Sequence, residues 1–179
     1  WDHNLAFGTG PGGMPGGGTM REKRDRLQNI IDLQRDLIEK HVNPDPAQVP
    51  QIFCPYKEVL DIYQAGMTLP ADITLVWPDD NFGYIRRFAT ADERKRSGGS
   101  GVYYHLSYWG RPHDYLWLDS TSPALVWHEM TKAYALDARQ VWVVNIGDIK
   151  SIETGATLFL EMAWDIHRYG KKKKKKFLH

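Results

Sequence analysis

Apolar positions along the chain follow two rhythms. Leu27, Ile30, Ile31, Leu37 and Ile38, with polar Gln34 completing the spacing, recur every three or four residues and predict a helix of about five turns ending near His41. Ahead of it, Thr19-Met20-Arg21-Glu22 reads as a capping box, in which the Thr19 hydroxyl and the Glu22 carboxylate each accept from a backbone amide. Asn43-Pro44-Asp45-Pro46 stops the helix, because proline lacks the amide and restrains the residue before it. Short unbroken apolar runs obey the second rhythm. Residues 51–54, 73–77, 102–109 and 141–146 read as strands, and the runs at 73–77 and 141–146 are of the buried type found where both faces of a parallel sheet are covered.

Within 102–109 the period of two puts Tyr103, His105, Ser107 and Trp109 on one face and Val102, Tyr104, Leu106 and Tyr108 on the other, with His105 in mid-strand. Helical segments alternate with these strands. Residues 56–65 form an amphipathic stretch closed by Gly66, Ser122-Pro123 caps a helix to about Leu136, and residues 156–164 form another. With a further strand over residues 3–7, the chain amounts to about five β/α units. The predicted fold is therefore α/β, a partial (β/α)8 barrel of the TIM type; an open doubly wound sheet is the alternative the same alternation allows.

At 179 residues and 42% hydrophobic, the chain can bury an ordinary core but is short of the roughly 250 residues of a complete barrel. Residues 1–167 are assigned to the barrel domain. Residues 8–18 within it are a glycine- and proline-rich loop, since glycine is costly in regular structure and proline lacks a donor. Residues 168–179 are set apart as a tail dominated by six lysines, Lys171 to Lys176; translated poly-A is preferred there over a polybasic contact. A net charge of +1, with basic and acidic residues interspersed elsewhere, excludes a nucleic-acid footprint along the body of the chain. No stretch reads as a membrane span, so no membrane partner is expected. The single Cys54 excludes an internal disulfide and a thiolate zinc cluster. Nothing sets an oligomeric state.

The candidate chemistry sits just after the apolar runs. Strand ends that repeatedly carry carboxylate, amide or imidazole are how a barrel enzyme aims several side chains into one mouth. Glu58 follows the 51–54 strand and is a candidate acid or base for glycosidic cleavage, or else a solvated helix residue. Asp79, Asp80 and Asn81 end a buried strand and must find partners, either a ligand or the backbone of their own loop. His105 is either a core histidine or a site residue, and Arg86 either a carboxylate clamp or a surface arginine. Asn145 and Asp148 bracket Gly147 at another strand end, as a site or a turn would. His128-Glu129-Met130-Thr131-Lys132 lacks the second histidine of a zinc protease helix.

Four blocks carry a family resemblance: QIFCPYKEV at 51–59, ITLVWPDDNFGYIRR at 73–87, ERKRSGGSGVYYHL at 93–106 and VWVVNIGDIK at 141–150. Over about residues 1–167 they resemble the catalytic barrel of glycoside hydrolase family 115, the xylan α-1,2-glucuronidases. The resemblance implies extracellular, inverting hydrolysis of glucuronic acid or its 4-O-methyl ether from glucuronoxylan, with no metal and no organic cofactor. It implies Glu58 as one of two acid/base carboxylates and Asn81 and His105 as residues of the uronic-acid pocket. Asp80, Arg86, Asn145 and Asp148 are carried as further substrate-binding candidates. One departure stands out. Members of the family carry an Arg-Gly-x-Gly-Asp type loop after the strand that corresponds to residues 3–7, where this chain has Phe7-Gly8-Thr9-Gly10-Pro11-Gly12-Gly13-Met14, with neither arginine nor carboxylate. A protein that binds glucuronoxylan without cutting it is the reading this departure leaves beside the enzyme.

Overall fold

The computed structural model describes residues 18–108, 119 and 121–170. Four strands, β1 (Ile52–Phe53), β2 (Thr74–Pro78), β3 (Ser100–His105) and β4 (Ala138–Asn145), form one sheet in the order β1-β2-β3-β4. The pairs β1–β2 and β3–β4 are parallel. Helices α1 (Met20–His41), α2 (Glu58–Gln64), α3 (Pro123–Ala135) and α4 (Glu153–Trp164) alternate with the strands except between β2 and β3, which are joined by a segment whose one helical piece is a 3-10 turn, Glu93–Lys95. This is the α/β order predicted, with the strand proposed at 3–7 outside the described residues. Contacts divide the described residues into two compact units, one holding those up to Leu75 with Arg96–Gly98, the other Val76–Lys95 and those from Gly99 on.

In the first unit α1 begins on the capping box, with Thr19 N–H donating to Glu22 at 2.8 Å and Glu22 N–H to the Thr19 hydroxyl at 3.3 Å. Leu27 and Ile31, one turn apart, are its buried residues, whereas Leu37 is exposed. Phe53, Val59, Ile62, Leu69, Ile73 and Leu75 complete the apolar core. Arg35 pairs with Asp72 at 2.7 Å, and the Arg96 guanidinium donates to the carbonyls of Leu69, Pro70 and Ile73. These carbonyls belong to the chain entering β2, so one planar five-donor group holds that entry in place.

In the second unit β3 is buried at every residue, as a strand covered on both faces must be. Its partner differs from expectation. β4 begins three residues before 141 and is largely half-exposed or exposed rather than buried, because it is the last strand in the sheet order and lacks a neighbour on one side among the described residues. The two strands pair irregularly at their start: Ser100 lies opposite Ala138, but Val102 lies opposite Trp142. Gly101 stands at that irregularity, where a Cβ would come within 2.1 Å of the Val141 carbonyl oxygen. α3 starts on Ser122 and Pro123 as predicted, the Ser122 hydroxyl accepting from Leu125 N–H at 3.2 Å. Tyr104, Phe159, Val126, Met130 and Met162 are buried here, with the Tyr104 and Phe159 rings stacked at 6.0 Å. A 3-10 turn, Ile166–Tyr169, spans the expected boundary at 167, and residues 171–179 lie outside the described residues.

Candidate active site

Asp79 follows β2 directly, and β3 ends at His105 rather than running through it. The histidine is thus a strand-end residue, not a mid-strand one. Two consecutive parallel-sheet strands bring these side chains together across 26 positions of sequence. His105 Nδ1 lies 2.6 Å from Asp79 Oδ1, and His105 N–H donates to Asp79 Oδ2 at 3.0 Å. An ionised carboxylate only accepts, so Nδ1 carries the proton and the imidazole orientation is set. Both side chains are buried, His105 to 1% and Asp79 to 0% exposure. The His105 ring packs against Tyr103 at 4.5 Å and meets Tyr108 edge-on at 5.6 Å. Asn145, ending β4, donates from Nδ2 to the Tyr103 hydroxyl at 3.1 Å.

The loop after Asp79 is tied down residue by residue. Asp79 Oδ1 also accepts from Asn81 N–H at 3.1 Å, and Asn81 takes a left-handed backbone, φ 70°, which an amide side chain tolerates better than most. Asp80 Oδ1 accepts from Phe82 and Tyr84 N–H at 3.0 and 3.2 Å, while Arg86 holds Asp80 Oδ2 at 2.6 Å. Asp80 thus caps this loop, and the exposed Arg86 is its ion partner. Farther along, Tyr104 donates to the Gly83 carbonyl at 2.9 Å. Burial, then the Asp79 and Glu129 carboxylates, hold that phenol well above the ordinary tyrosine range. From α3, buried Glu129 accepts from Ile85 N–H at 3.1 Å with Lys132 at 3.5 Å.

Of the remaining candidates, Glu58 is the first residue of α2 and exposed, in the first unit. It follows Lys57, whose backbone is strained at φ 51° and ψ −124°. Asp148 is exposed in the turn before α4, where its carbonyl accepts from Ser151. The structure thus joins His105, Asn81 and Asn145 through Asp79 and Tyr103, and leaves Asp148 apart from that network among the described residues.

Asp119 was not singled out in the sequence, whereas Asp79 was read there as one of three strand-end polar residues in need of a partner. Asp79 emerges as the anchor of the cluster; the signal for it was an acid at one buried strand end and a histidine near the next. Asp119 accepts from Thr121 N–H at 3.2 Å, and Thr121 Oγ1 donates to the His105 carbonyl at 3.4 Å. Burial raises the Asp119 carboxyl above the usual aspartate range, the Thr121 amide opposing. Among the described residues no group of three His, Cys, Asp or Glu side chains has metal-binding geometry, and no helix is long and apolar enough to cross a membrane.

The sequence model of glycosyl hydrolase family 115 matches residues 9–179. Among solved structures, a family GH115 4-O-methyl-α-glucuronidase with specificity for decorated arabinogalactans is 54% identical, with a TM-score of 0.84 over 88% of this chain. The match spans 21% of that relative's own length. No curated protein matches the chain.

Proposed function

Because the chain belongs to glycosyl hydrolase family 115, we propose that it is part of an α-glucuronidase that hydrolyses glucuronic acid or its 4-O-methyl ether from polysaccharide side chains. The observation that carries this reading is the 54% identity to a solved 4-O-methyl-α-glucuronidase. Glucuronoxylan with α-1,2-linked side chains is the substrate implied by the sequence blocks; the decorated arabinogalactan of the solved relative is the other backbone to test. In this reading Glu58 is one of the two acid/base carboxylates of an inverting hydrolysis, which needs carboxyl groups about 6.5–9.5 Å apart to admit water. Asn81 and His105 serve the uronic-acid pocket, with Asp79 fixing the imidazole. Asn145 supports the same strand-end region through Tyr103. Such hydrolysis needs no cofactor, and an extracellular polysaccharide implies an extracellular protein.

A second reading has its own observation. Residues 7–14 contain neither arginine nor carboxylate, so a protein that holds the decorated glycan without cutting it is the competing function. Incubation with 4-O-methylglucuronoxylo-oligosaccharides and with glucuronic-acid-capped arabinogalactan fragments separates the two. Free uronic acid, appearing first as the β-anomer and lost in Glu58→Gln, is the outcome expected of the enzyme. Release undiminished by Glu58→Gln removes Glu58 from the chemistry. Retention of the oligosaccharide with no release moves the binding reading ahead.

A further inference from the structure

Tyr104 and His105 are consecutive residues at the end of β3, and alternation along a strand sends their side chains to opposite faces of the sheet. The contacts agree. The His105 ring packs against Tyr103, whereas the Tyr104 ring stacks on Phe159 of α4. Both nevertheless reach the loop that follows β2. His105 binds Asp79 through Nδ1 at 2.6 Å, and the Tyr104 hydroxyl donates to the Gly83 carbonyl at 2.9 Å. Asn81 stands two residues from each of these anchors, so the end of β3 grips the segment that carries it on both sides.

The segment between the anchors is closed on itself. Asn81 N–H donates at 3.1 Å to the same Asp79 oxygen that lies against His105 Nδ1. Asp80 N–H donates to the Tyr84 carbonyl at 2.9 Å, and Tyr84 N–H returns to Asp80 Oδ1 at 3.2 Å. Such a closed segment shifts as one piece, so its place is set by what fastens it to the sheet. Gly83 is the fastening on the far side. Its backbone is left-handed, φ 87°, and a Cβ there would meet the Tyr104 hydroxyl oxygen at 2.9 Å and the Leu125 and Thr121 side chains at 3.0 Å.

The hydroxyl itself is the informative atom. Tyr104 is fully buried, and a phenylalanine ring would stack on Phe159 in the same way. Burying a hydroxyl costs free energy unless it is hydrogen-bonded, and this one is spent on a loop carbonyl rather than on the strand or a helix. Burial and the nearby carboxylates, Asp79 first, hold the phenol above the ordinary tyrosine range, so it stays an O–H donor.

We infer that Tyr104 is a positioning residue for uronic-acid binding: its hydroxyl, by holding Gly83, keeps Asn81 in place relative to His105. The inference rests on the reading of Asn81 and His105 given above and deepens it, by naming the buried group that fixes one against the other.

Titration of the 179-residue chain with D-glucuronic acid, followed by backbone amide NMR, tests it. The parent is expected to bind, with the Asn81 and His105 resonances shifting. Tyr104→Phe keeps the stacked ring and is expected to weaken binding about tenfold, the scale of one lost hydrogen bond. It is also expected to move the Asn81 amide resonance before any ligand is added. Gly83→Ala, which disturbs the same fastening from the loop side, is expected to weaken binding as well. Met162→Ala is the control for stability alone. It opens the buried core at α4 and is expected to lower the unfolding temperature while leaving uronate affinity as in the parent. Circular dichroism verifies that each variant is folded. Undiminished binding in Tyr104→Phe, with binding lost in Asn81→Ala, overturns the inference and leaves the uronic-acid reading of Asn81 standing. Equal weakening in Tyr104→Phe and Met162→Ala assigns Tyr104 to stability and overturns it too. A parent that binds no uronate, or an Asn81→Ala variant that binds like the parent, removes that reading and the inference with it.

Discussion

Asp79 grips His105 twice, its Oδ1 lying 2.6 Å from the ring nitrogen Nδ1 and its Oδ2 accepting the histidine's own backbone N–H at 3.0 Å. A third bond, from Asn81 N–H at 3.1 Å, falls on the same carboxylate. One buried side chain therefore sets both the imidazole and the start of the loop that carries Asn81. Removing it in Asp79→Ala leaves three donors with no carboxylate, and the expected loss is about 3 kcal/mol of stability. Asp79→Asn retains an acceptor for the ring but turns an amide NH2 toward a backbone N–H, so a smaller loss, about 1–2 kcal/mol, is expected. Urea unfolding of both variants measures this, and equal stabilities with the parent would show the triple contact to be energetically empty.

Glu129 anchors the other end of the same loop. It is 3% exposed, accepts from Ile85 N–H at 3.1 Å and stands 3.5 Å from the Lys132 ammonium. Glu129→Gln keeps the shape while removing the charge-assisted bond, at an expected cost of about 1–2 kcal/mol. The Ile85 amide should exchange hydrogen measurably faster in that variant, with exchange in β3 changing only by the global loss. Unaltered exchange at Ile85 would mean the loop is held by Asp80 and Tyr104 alone.

Asp119 gives a pH dependence of definite sign. Its folded-state pKa is raised by burial, so the folded chain holds the proton more tightly than the unfolded chain does. Between the unfolded and folded pKa values the native state binds more protons, and stability falls as pH rises through that window. Asp119→Asn removes the charge that burial penalises while leaving an oxygen for Thr121 N–H. The variant is expected to be more stable than the parent at pH 7, with the difference vanishing as pH drops below the usual aspartate range. Thermal unfolding from pH 3 to 7 reads it, and a variant less stable at pH 7 would identify the ionised form as the structurally required one.

What was legible in the sequence was local. The Thr19–Glu22 capping box, the Ser122-Pro123 start of α3 and the turn at Gly66 depend on residues within a few positions of each other, and each is present. The strand order follows from the alternation of runs. What was not legible depends on where strands stop and which strand lies last. Residues 106–108 continue the alternation of β3 in sequence, yet the strand ends at His105, where Leu106 and Ser107 N–H both donate to the single Asn145 carbonyl. β4 is apolar enough to read as buried, but burial is set by a neighbour rather than by composition. The Asp79–His105 pair spans 26 residues, and only the parallel arrangement of strands brings it together.

Gly101 is required by the approach of two strands rather than by its own backbone. A Cβ there would meet the Val141 carbonyl oxygen at 2.1 Å and its Cγ1 at 2.7 Å. The first contact is with backbone, which cannot rotate away. Gly101→Ala is expected to cost about 3 kcal/mol, because relief requires β3 and β4 to separate where their register already shifts. Hydrogen exchange at Val102 and Val143 should accelerate more than at α3. A loss below about 1 kcal/mol would show that the β3–β4 pairing opens there freely.

Lys57 carries the clearest local strain among the described residues, and it adjoins the residue proposed for chemistry. At φ 51° and ψ −124° its side chain has no comfortable place, whereas glycine adopts that conformation readily. Strain of this kind costs about 1–3 kcal/mol and is retained where the chain needs it. Here it turns the backbone between the buried Tyr56 and the first turn of α2, and so delivers Glu58 to solvent at the helix start. Lys57→Gly removes the strain but loses the cation–π contact with Tyr56, 5.1 Å from its ring centroid, and frees the unfolded chain. A net gain of about 0.5–1 kcal/mol in thermal unfolding is therefore expected. If the strain serves only to place the Glu58 backbone, uronic-acid release by a full-length homologue bearing the equivalent change should persist while its stability rises. A stabilised variant that loses release would show instead that the lysine side chain itself contacts the substrate, and would add Lys57 to the active site.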